Sequence, residues 1–384
     1  MGRPMSRKVV VLQYRLLHYR VRLFELLRQR CAERDIELHL VHGQPTQGEI
    51  GKRDTGRIDW ADVVTNRYLH IGGKDVLWQP FPRQHHDAGL VVTMQENRLL
   101  SNYPLLFGWR GGRMRVAYWG HGRNFQSARP HGLRERWKRL LVDRVDWWFA
   151  YTERTRDILL ADGYPDERIT VLDNAIDNEE MERDLAAVTP EQLRALTRNI
   201  SAAEGAPVAL FCGSLYPDKK LDYMIAAADV VHAAIPELRF VVIGDGPSAG
   251  TIREAAGSRP WLKWTGALTG AAKAGWFKRA DVVMNPGAVG LHVLDSFCAG
   301  APMITTSEAK HGPELAYIAD GVNGLIVSGD ATAYANAVIA LLRDRPRLDA
   351  LRRQALKDAG RYTLDNMVDH FAAGMDRCLS LPRK

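Results

Sequence analysis

The residues best placed to do chemistry gather in one stretch, Ala280 to Thr306, ADVVMNPGAVGLHVLDSFCAGAPMITT. It reads as a buried strand (Asp281 to Asn285), a glycine turn (Pro286 to Gly290), a helix (Leu291 to Ala299), then Gly300 and a second strand (Pro302 to Thr306). Pro286, Gly287 and Gly290 let a backbone turn sharply and approach a ligand with no Cβ in the way. A helix that opens on such a turn aims its free N–H groups at it, which suits a phosphate. Val289 and Leu291 border the same turn. Asp295 falls about one and a half turns into the helix, within reach of a group beside the phosphates.

Other short pieces could serve the same anion. Gly213-Ser-Leu-Tyr-Pro-Asp-Lys219 joins a strand to a helix, with Gly213 and Ser214 leading into Lys219; taken alone, that lysine reads as solvated surface. Gly244 and Gly246 punctuate the end of another strand in Val241-Val-Ile-Gly-Asp-Gly-Pro247; taken alone they are a plain strand-ending turn. Glu314 follows Pro313 at a helix start, where the dipole already favours a carboxylate, so a structural role and a ligand role both stand. In the front half, His121 lies between Gly120 and Gly122 after a strand and could approach a reacting group. Glu96, after the strand ending at Met94, could orient an acceptor hydroxyl, with Asn97 beside it. Arg15, His18, Tyr19 and Arg20 occupy the first strand-to-helix turn, and Arg123 follows His121.

These turns need a scaffold that brings strand ends together. Lys8 to Tyr14, Ile36 to His42, Leu90 to Met94, Arg115 to Trp119, Trp147 to Tyr151 and Ile169 to Leu172 are expected strands, with helices over Arg20 to Glu33 and Glu153 to Leu160. Gly43 to Thr65 reads as an irregular insertion. A polar helical connector, Glu179 to Asn199, precedes a restart at Val208 to Cys212. Helix Asp222 to Ala234, strand Arg239 to Ile243, helix Gly250 to Ala256 and strand Leu262 to Thr265 then lead to the opening stretch. Strand Asn323 to Ser328 and helices Ala331 to Arg343, Leu348 to Ala359 and Leu364 to Leu379 close the chain. Strands alternating with helices argue for parallel sheets covered on both faces. The expected class is α/β, two tandem Rossmann-like domains, whose ligands bind at the carboxyl ends of the strands.

In this order and spacing the pieces resemble the donor-binding half of GT-B glycosyltransferases of the family 4 type, well over Ile169 to Arg361 and more loosely before it. The resemblance implies a deep cleft between domains spanning 1–178 and 179–365, with residues 366–384 as a helix crossing back to the first. It implies a nucleotide diphosphate-sugar of UDP or GDP type as donor and a glycan or lipid-linked glycan hydroxyl as acceptor. The family's lysine on the donor diphosphate aligns with Lys219, and its arginine is replaced by Ser214. The second glutamate of its E-x7-E motif, which holds the ribose, aligns with Asp295; the first is missing at Gly287. A subgroup of polysaccharide-building transferases resembles this PG-x-x-GL form and the HGPE sequence. His121 matches the place where the family sets a histidine beside the donor sugar. Retention of configuration and no metal or other cofactor are also implied. A sugar-nucleotide epimerase or hydrolase of the same architecture, or a non-catalytic nucleotide-sugar binding protein motivated by Ser214 and Gly287, remain as alternatives.

Composition narrows the classes. The chain has 384 residues, too long for one ordinary domain, with 46% hydrophobic and 25% charged residues. No run of about 18 apolar residues suggests a membrane span, and no signal peptide is evident. The four cysteines show no metal spacing and no disulfide framework, which fits a reducing cytoplasm. Net charge is +7. Arginines and aromatics interleave from Arg110 to Arg144, and Arg134, Trp137, Lys138, Leu140, Leu141 and Arg144 fall in one helical run that could lie on an anionic membrane; a core helix with a charged outer face is the alternative. No recognition motif points to nucleic acid.

Overall fold

The computed structural model describes residues 6–46, 49, 55–71, 74–108, 114–122 and 141–382. They divide into two compact units: 1–176 with 364–384, and 177–363. Both divisions fall two residues before the sequence boundaries. Asn178 explains the first, since its side-chain amide donates to the Tyr362 carbonyl at 2.8 Å and so belongs to the second unit.

In the first unit β1 (Lys8–Gln13) is a nearly unbroken apolar run, with Val9, Val10 and Val11 fully buried. A strand covered on both faces reads this way rather than alternating. Around it lie β2 (Glu37–His42), β3 (Asp62–Val63), β6 (Leu90–Met94), β7 (Arg115–Gly120), β8 (Trp147–Ala150) and β9 (Ile169–Val171), with β4 (Arg67–Ile71) and β5 (Lys74–Trp78) forming a separate antiparallel pair. The parallel sheet runs β3-β2-β1-β6-β7-β8-β9. The span expected to be an irregular insertion contributes β3, and the hairpin of β4 and β5 follows it. Helix Leu364–Ser380 packs on this unit against helix Val21–Ala32. Arg30 meets Asp369 at 2.7 Å, and a Cβ at Gly374 would lie 2.5 Å from Thr170 Oγ1, so the helix sits closely on the sheet.

The second unit holds a six-stranded sheet of β10 (Val208–Cys212), β11 (Arg239–Ile243), β12 (Leu262–Gly266), β13 (Val282–Met284), β14 (Met303–Thr306) and β15 (Gly324–Val327). Its order is β12-β11-β10-β13-β14-β15, all parallel. The chain builds outward from β10 in one direction, then crosses to β13 and builds in the other. The strand order reverses between β10 and β13, and open sheets of this kind bind ligands just beyond the carboxyl ends at that point. The connector is two helices, Asn178–Ala187 and Pro190–Asn199; Thr189 and Gln192 form a reciprocal capping box that starts the second. Sequence reasoning passed over helix Gly270–Arg279, whose two glycines and lack of an apolar stripe hide it.

Candidate functional site

At the reversal point of the second sheet, the turn after β10 and the turn after β13 press directly against each other. The backbone carries the contact: the Ala288 N–H donates to Asp218 O at 3.0 Å, and a Cβ at Gly287 would lie 2.4 Å from Lys219 Cα. Gly287 is therefore required by space and not by a special backbone angle. A side chain there would have to displace the backbone of Asp218 and Lys219. Lys219 is buried, its Nζ donating to the Ala288 carbonyl at 2.5 Å, with Gly213 alongside its side chain. Burial holds its pKa down at about 8, against the opposing pull of Cys212 and Glu314.

His311 braces the same turn from beneath. Its Nδ1 accepts from the Val289 N–H at 3.2 Å and its Nε2 donates to Thr306 O, which assigns the neutral ring with the proton on Nε2. Thr306 Oγ1 donates to Pro286 O at 2.6 Å. The HGPE sequence thus supplies a support for the turn through its histidine. Glu314 lies in a 3-10 turn, Pro313–Tyr317, its carboxylate folded back over Gly312.

Helix His292–Cys298 follows with only seven residues, one residue shorter at each end than the sequence suggested. Asp295 on it is buried and lies 3.2 Å from Lys273 Nζ, a residue of the overlooked helix Gly270–Arg279. Burial raises the Asp295 pKa while Lys273 pulls it down; for Lys273 burial lowers the pKa but Asp295 and its hydrogen bond more than compensate. His292 was also missed. Burial, then Lys219 and Lys273, hold its pKa well below the usual value, so the ring is neutral, and its Nε2 has no partner among the described residues. Two lysines, Lys219 and Lys273, two neutral histidines, His292 and His311, and two carboxylates, Asp295 and Glu314, thus surround the turn. Val289 is buried with its amide engaged, Leu291 and Gly290 are partly exposed, and Ser214 is exposed. Gly244 and Gly246 have a packing role: a Cβ at either would strike the Gly213 or Leu215 carbonyl, because the turn after β11 is laced to the turn after β10.

In the first unit the order reverses between β1 and β6, and the described candidate residues fall on the turns after β1, β6 and the neighbouring β7. Arg20 is buried, donating to Gln13 Oε1 at 2.6 Å and the Tyr151 hydroxyl at 2.9 Å, with its guanidinium 4.5 Å over Trp119; it holds the unit together. Arg15 is buried against Tyr14 and Glu49, while His18 and Tyr19 are exposed. Glu96 pairs with Arg98 at 2.6 Å, so its carboxylate is shared with a neighbouring cation; Asn97 lies beside it and its carbonyl accepts from the Tyr103 hydroxyl. His121 stacks on Tyr151 with ring centroids 4.0 Å apart, a platform sequence reasoning did not assign. Gln95 ties the two turns by donating to Gly122 O at 2.9 Å. Arg123 and, from the expected membrane-facing run, Arg134, Trp137, Lys138 and Leu140 lie outside the described residues. Among the described residues His39, Asp62 and His85 form a group of metal-ligand type, with His85 Nε2 2.6 Å from Asp62 Oδ2.

Residues 206–344 match the model of the family described as glycosyl transferases group 1. The D-inositol 3-phosphate glycosyltransferase of Stackebrandtia nassauensis is 32% identical over 224 residues, covering 53% of this chain and 47% of that protein. The chain spans about half the length of the curated relatives it matches. A glycosyltransferase structure from Rickettsia africae matches with a TM-score of 0.69 at 11% identity, covering 98% of this chain and 100% of that one. The structure of Anabaena HepE in complex with UDP matches at 0.67 and 15%, covering 95% and 98%. The fold is GT-B. Within a GT-B fold the second unit, which contains the family match, is the one whose sheet reverses at Lys219 and Gly287. Among the described residues no helix is long and apolar enough to cross a membrane.

Proposed function

We propose that the chain is a glycosyltransferase, a group 1 variant with glycine at 287, that moves a sugar from a nucleotide diphosphate-sugar to a hydroxyl of a glycan or lipid-linked glycan. The observation that carries the reading is Lys219, a buried ammonium set against the 286–290 turn where the strand order reverses. The family match over the same residues and the UDP in the HepE structure support it.

In this reading Lys219 and the backbone amides around Gly290 receive the diphosphate. As the bond from the anomeric carbon to the phosphate oxygen breaks, negative charge grows on the leaving diphosphate, and a fixed cation and amides stabilise it. The helix after the turn is too short to add much dipole, so the lysines carry the electrostatics. Asp295, held by Lys273, accepts from the ribose hydroxyls. His121, seated on Tyr151, lies beside the donor sugar, and Glu96 orients the acceptor hydroxyl with Arg15, His18, Tyr19 and Asn97 near it. Retention of configuration and independence of metal complete the proposal, as does contact of the basic 110–144 region with an anionic membrane on the cytoplasmic side.

A panel of UDP- and GDP-sugars tested by thermal shift, followed by donor turnover with and without lipid-linked glycan acceptors, tests the reading. Stabilisation by one donor and acceptor-dependent turnover are expected. Turnover without acceptor would point to a hydrolase or epimerase, and binding without any turnover to a non-catalytic protein.

A further inference from the structure

At the opposite ends of the strands that carry the Lys219 turn, the second unit holds another cavity, of about 590 Å³. It lies where β10 and β13 begin, and Val208 N–H donates to Asp281 Oδ2 at 2.9 Å at its floor. Six cations line it: Arg194, Arg198, Lys278, Arg279, Arg345 and Arg352. Against them stand only Asp281 and Glu204, so the lining carries a surplus of four positive charges.

The charges are not balanced by internal pairing. Asp281 is shared among three guanidinium groups, with Arg352 at 3.0 Å, Arg345 at 3.1 Å and Arg279 at 3.7 Å. One carboxylate compensates one of the three. Arg352 Nε is buried without a hydrogen-bond partner among the described residues. Burial holds the Arg279 pKa below its ordinary value, and Arg352 and Arg345 push it down further against the pull of Asp281. Arg194 and Arg198, four residues apart on helix Pro190–Asn199, lie on one face of that helix, exposed and without ion-pair partners among the described residues. Lys278 is engaged, donating to the Leu185 and Val188 carbonyls. The guanidinium fork matches phosphate oxygens two at a time, and the cavity has the size of an ordinary small-molecule site.

We propose that this cavity is a second anion site, distinct from the turn at Gly287, that takes a multiply charged phosphate: a phosphate monoester or diphosphate. Arg194 and Arg198 close over the phosphate from the helix, and Arg345 and Arg352 receive it from the side of Asp281. The chemistry is shared by a free phosphorylated metabolite and by a phosphomonoester lipid headgroup.

Calorimetric titration of the full chain with inorganic pyrophosphate, in a Lys219→Ala background that weakens the other site, tests the proposal. Saturable binding that falls at least tenfold in Arg194→Glu/Arg198→Glu is expected; both positions are exposed, and matching thermal melts verify the fold. Arg345→Gln gives an independent second variant, expected to weaken binding while Asp281 keeps Arg352. Sedimentation with phosphatidic acid vesicles, compared with phosphatidylglycerol vesicles, separates the sources. Arginine-dependent binding to the former assigns the lipid headgroup, and pyrophosphate binding without vesicle binding assigns the free phosphate. No saturable binding of either probe, or binding indifferent to both arginine variants, overturns the proposal.

Discussion

Replacing Lys219 by methionine separates what the residue costs the fold from what it does for a ligand. Its pKa in the folded chain is about 8, below the ordinary 10.5, with burial as the main cause. Between those values the unfolded chain binds more protons than the folded one, so stability rises as pH climbs through that window, and the full penalty is present below about 8. Two and a half units correspond to roughly 3 kcal/mol, from which the lost bond to the Ala288 carbonyl subtracts about 1 kcal/mol. Lys219→Met should therefore be about 2 kcal/mol more stable than the parent at pH 7, and lose that advantage by pH 11. Affinity for UDP should move the other way. A hydrogen bond to a charged partner contributes about 1.5–3 kcal/mol, so binding should weaken by about 10- to 150-fold at pH 7. In the parent, affinity should drop about tenfold per pH unit above about 8, as free Lys219 loses its proton while the ligand's phosphates are already ionised. The variant should show no such slope. Urea melts at pH 7 and 11 and calorimetric titration with UDP from pH 7 to 9.5 provide both readings. A variant that is destabilised at pH 7, or that keeps parental UDP affinity with the same slope, refutes the reasoning.

Gly287→Glu should lower the melting temperature sharply, because its Cβ would lie 2.4 Å from Lys219 Cα; overpacking of this kind costs about 1–3 kcal/mol or more. A thermal melt equal to the parent's would contradict the packing described. His311→Ala should cost about 1–3 kcal/mol through the stranded Val289 N–H and Thr306 carbonyl, and weaken UDP binding as the turn loosens; denaturant melts and UDP titration check both. Lys273→Met leaves Asp295 buried without its cation and should destabilise by about 3–5 kcal/mol, whereas Lys273→Met/Asp295→Leu should recover most of that loss; a double-mutant cycle by denaturant melts measures the coupling.

Much of the scaffold was legible because buried parallel strands announce themselves. Lys8–Gln13 and Val208–Cys212 are short apolar runs bounded by turn residues, and no surface strand would read that way. The turn at Pro286 to Gly290 was legible from glycine spacing, whereas Lys219 stood out only through the family resemblance, since a lone lysine in a loop reads as solvated surface. The meaning of the glycines shifted, however: Gly287 serves close packing against the Lys219 turn, and Gly244 and Gly246 serve the lacing of two turns, neither of which local sequence can distinguish from ligand approach. Helix Gly270–Arg279 was hidden, and with it Lys273, the partner of Asp295 from 22 positions away. His292 and Tyr151 escaped because their roles come from what folds around them. The hairpin of β4 and β5 did carry a signal, the Gly72-Gly73 pair between two runs of alternating character. The engagement of Arg20 with Gln13 and Tyr151 could not be foreseen, since Tyr151 arrives from the far side of the sheet's sequence.

Helix Leu364–Ser380 has a consequence for how the chain comes to be folded. Residues 177–363 form an uninterrupted unit, able to complete itself as it leaves the ribosome. The earlier-made unit has no such freedom. Its sheet must wait, with Phe149 and Trp119 lacking their cover from Phe371, until nearly two hundred further residues have been translated and this last segment arrives. Premature termination just before Leu364 would leave a sound rear half attached to an unsealed front one, a state that chaperones and proteases are well suited to recognise.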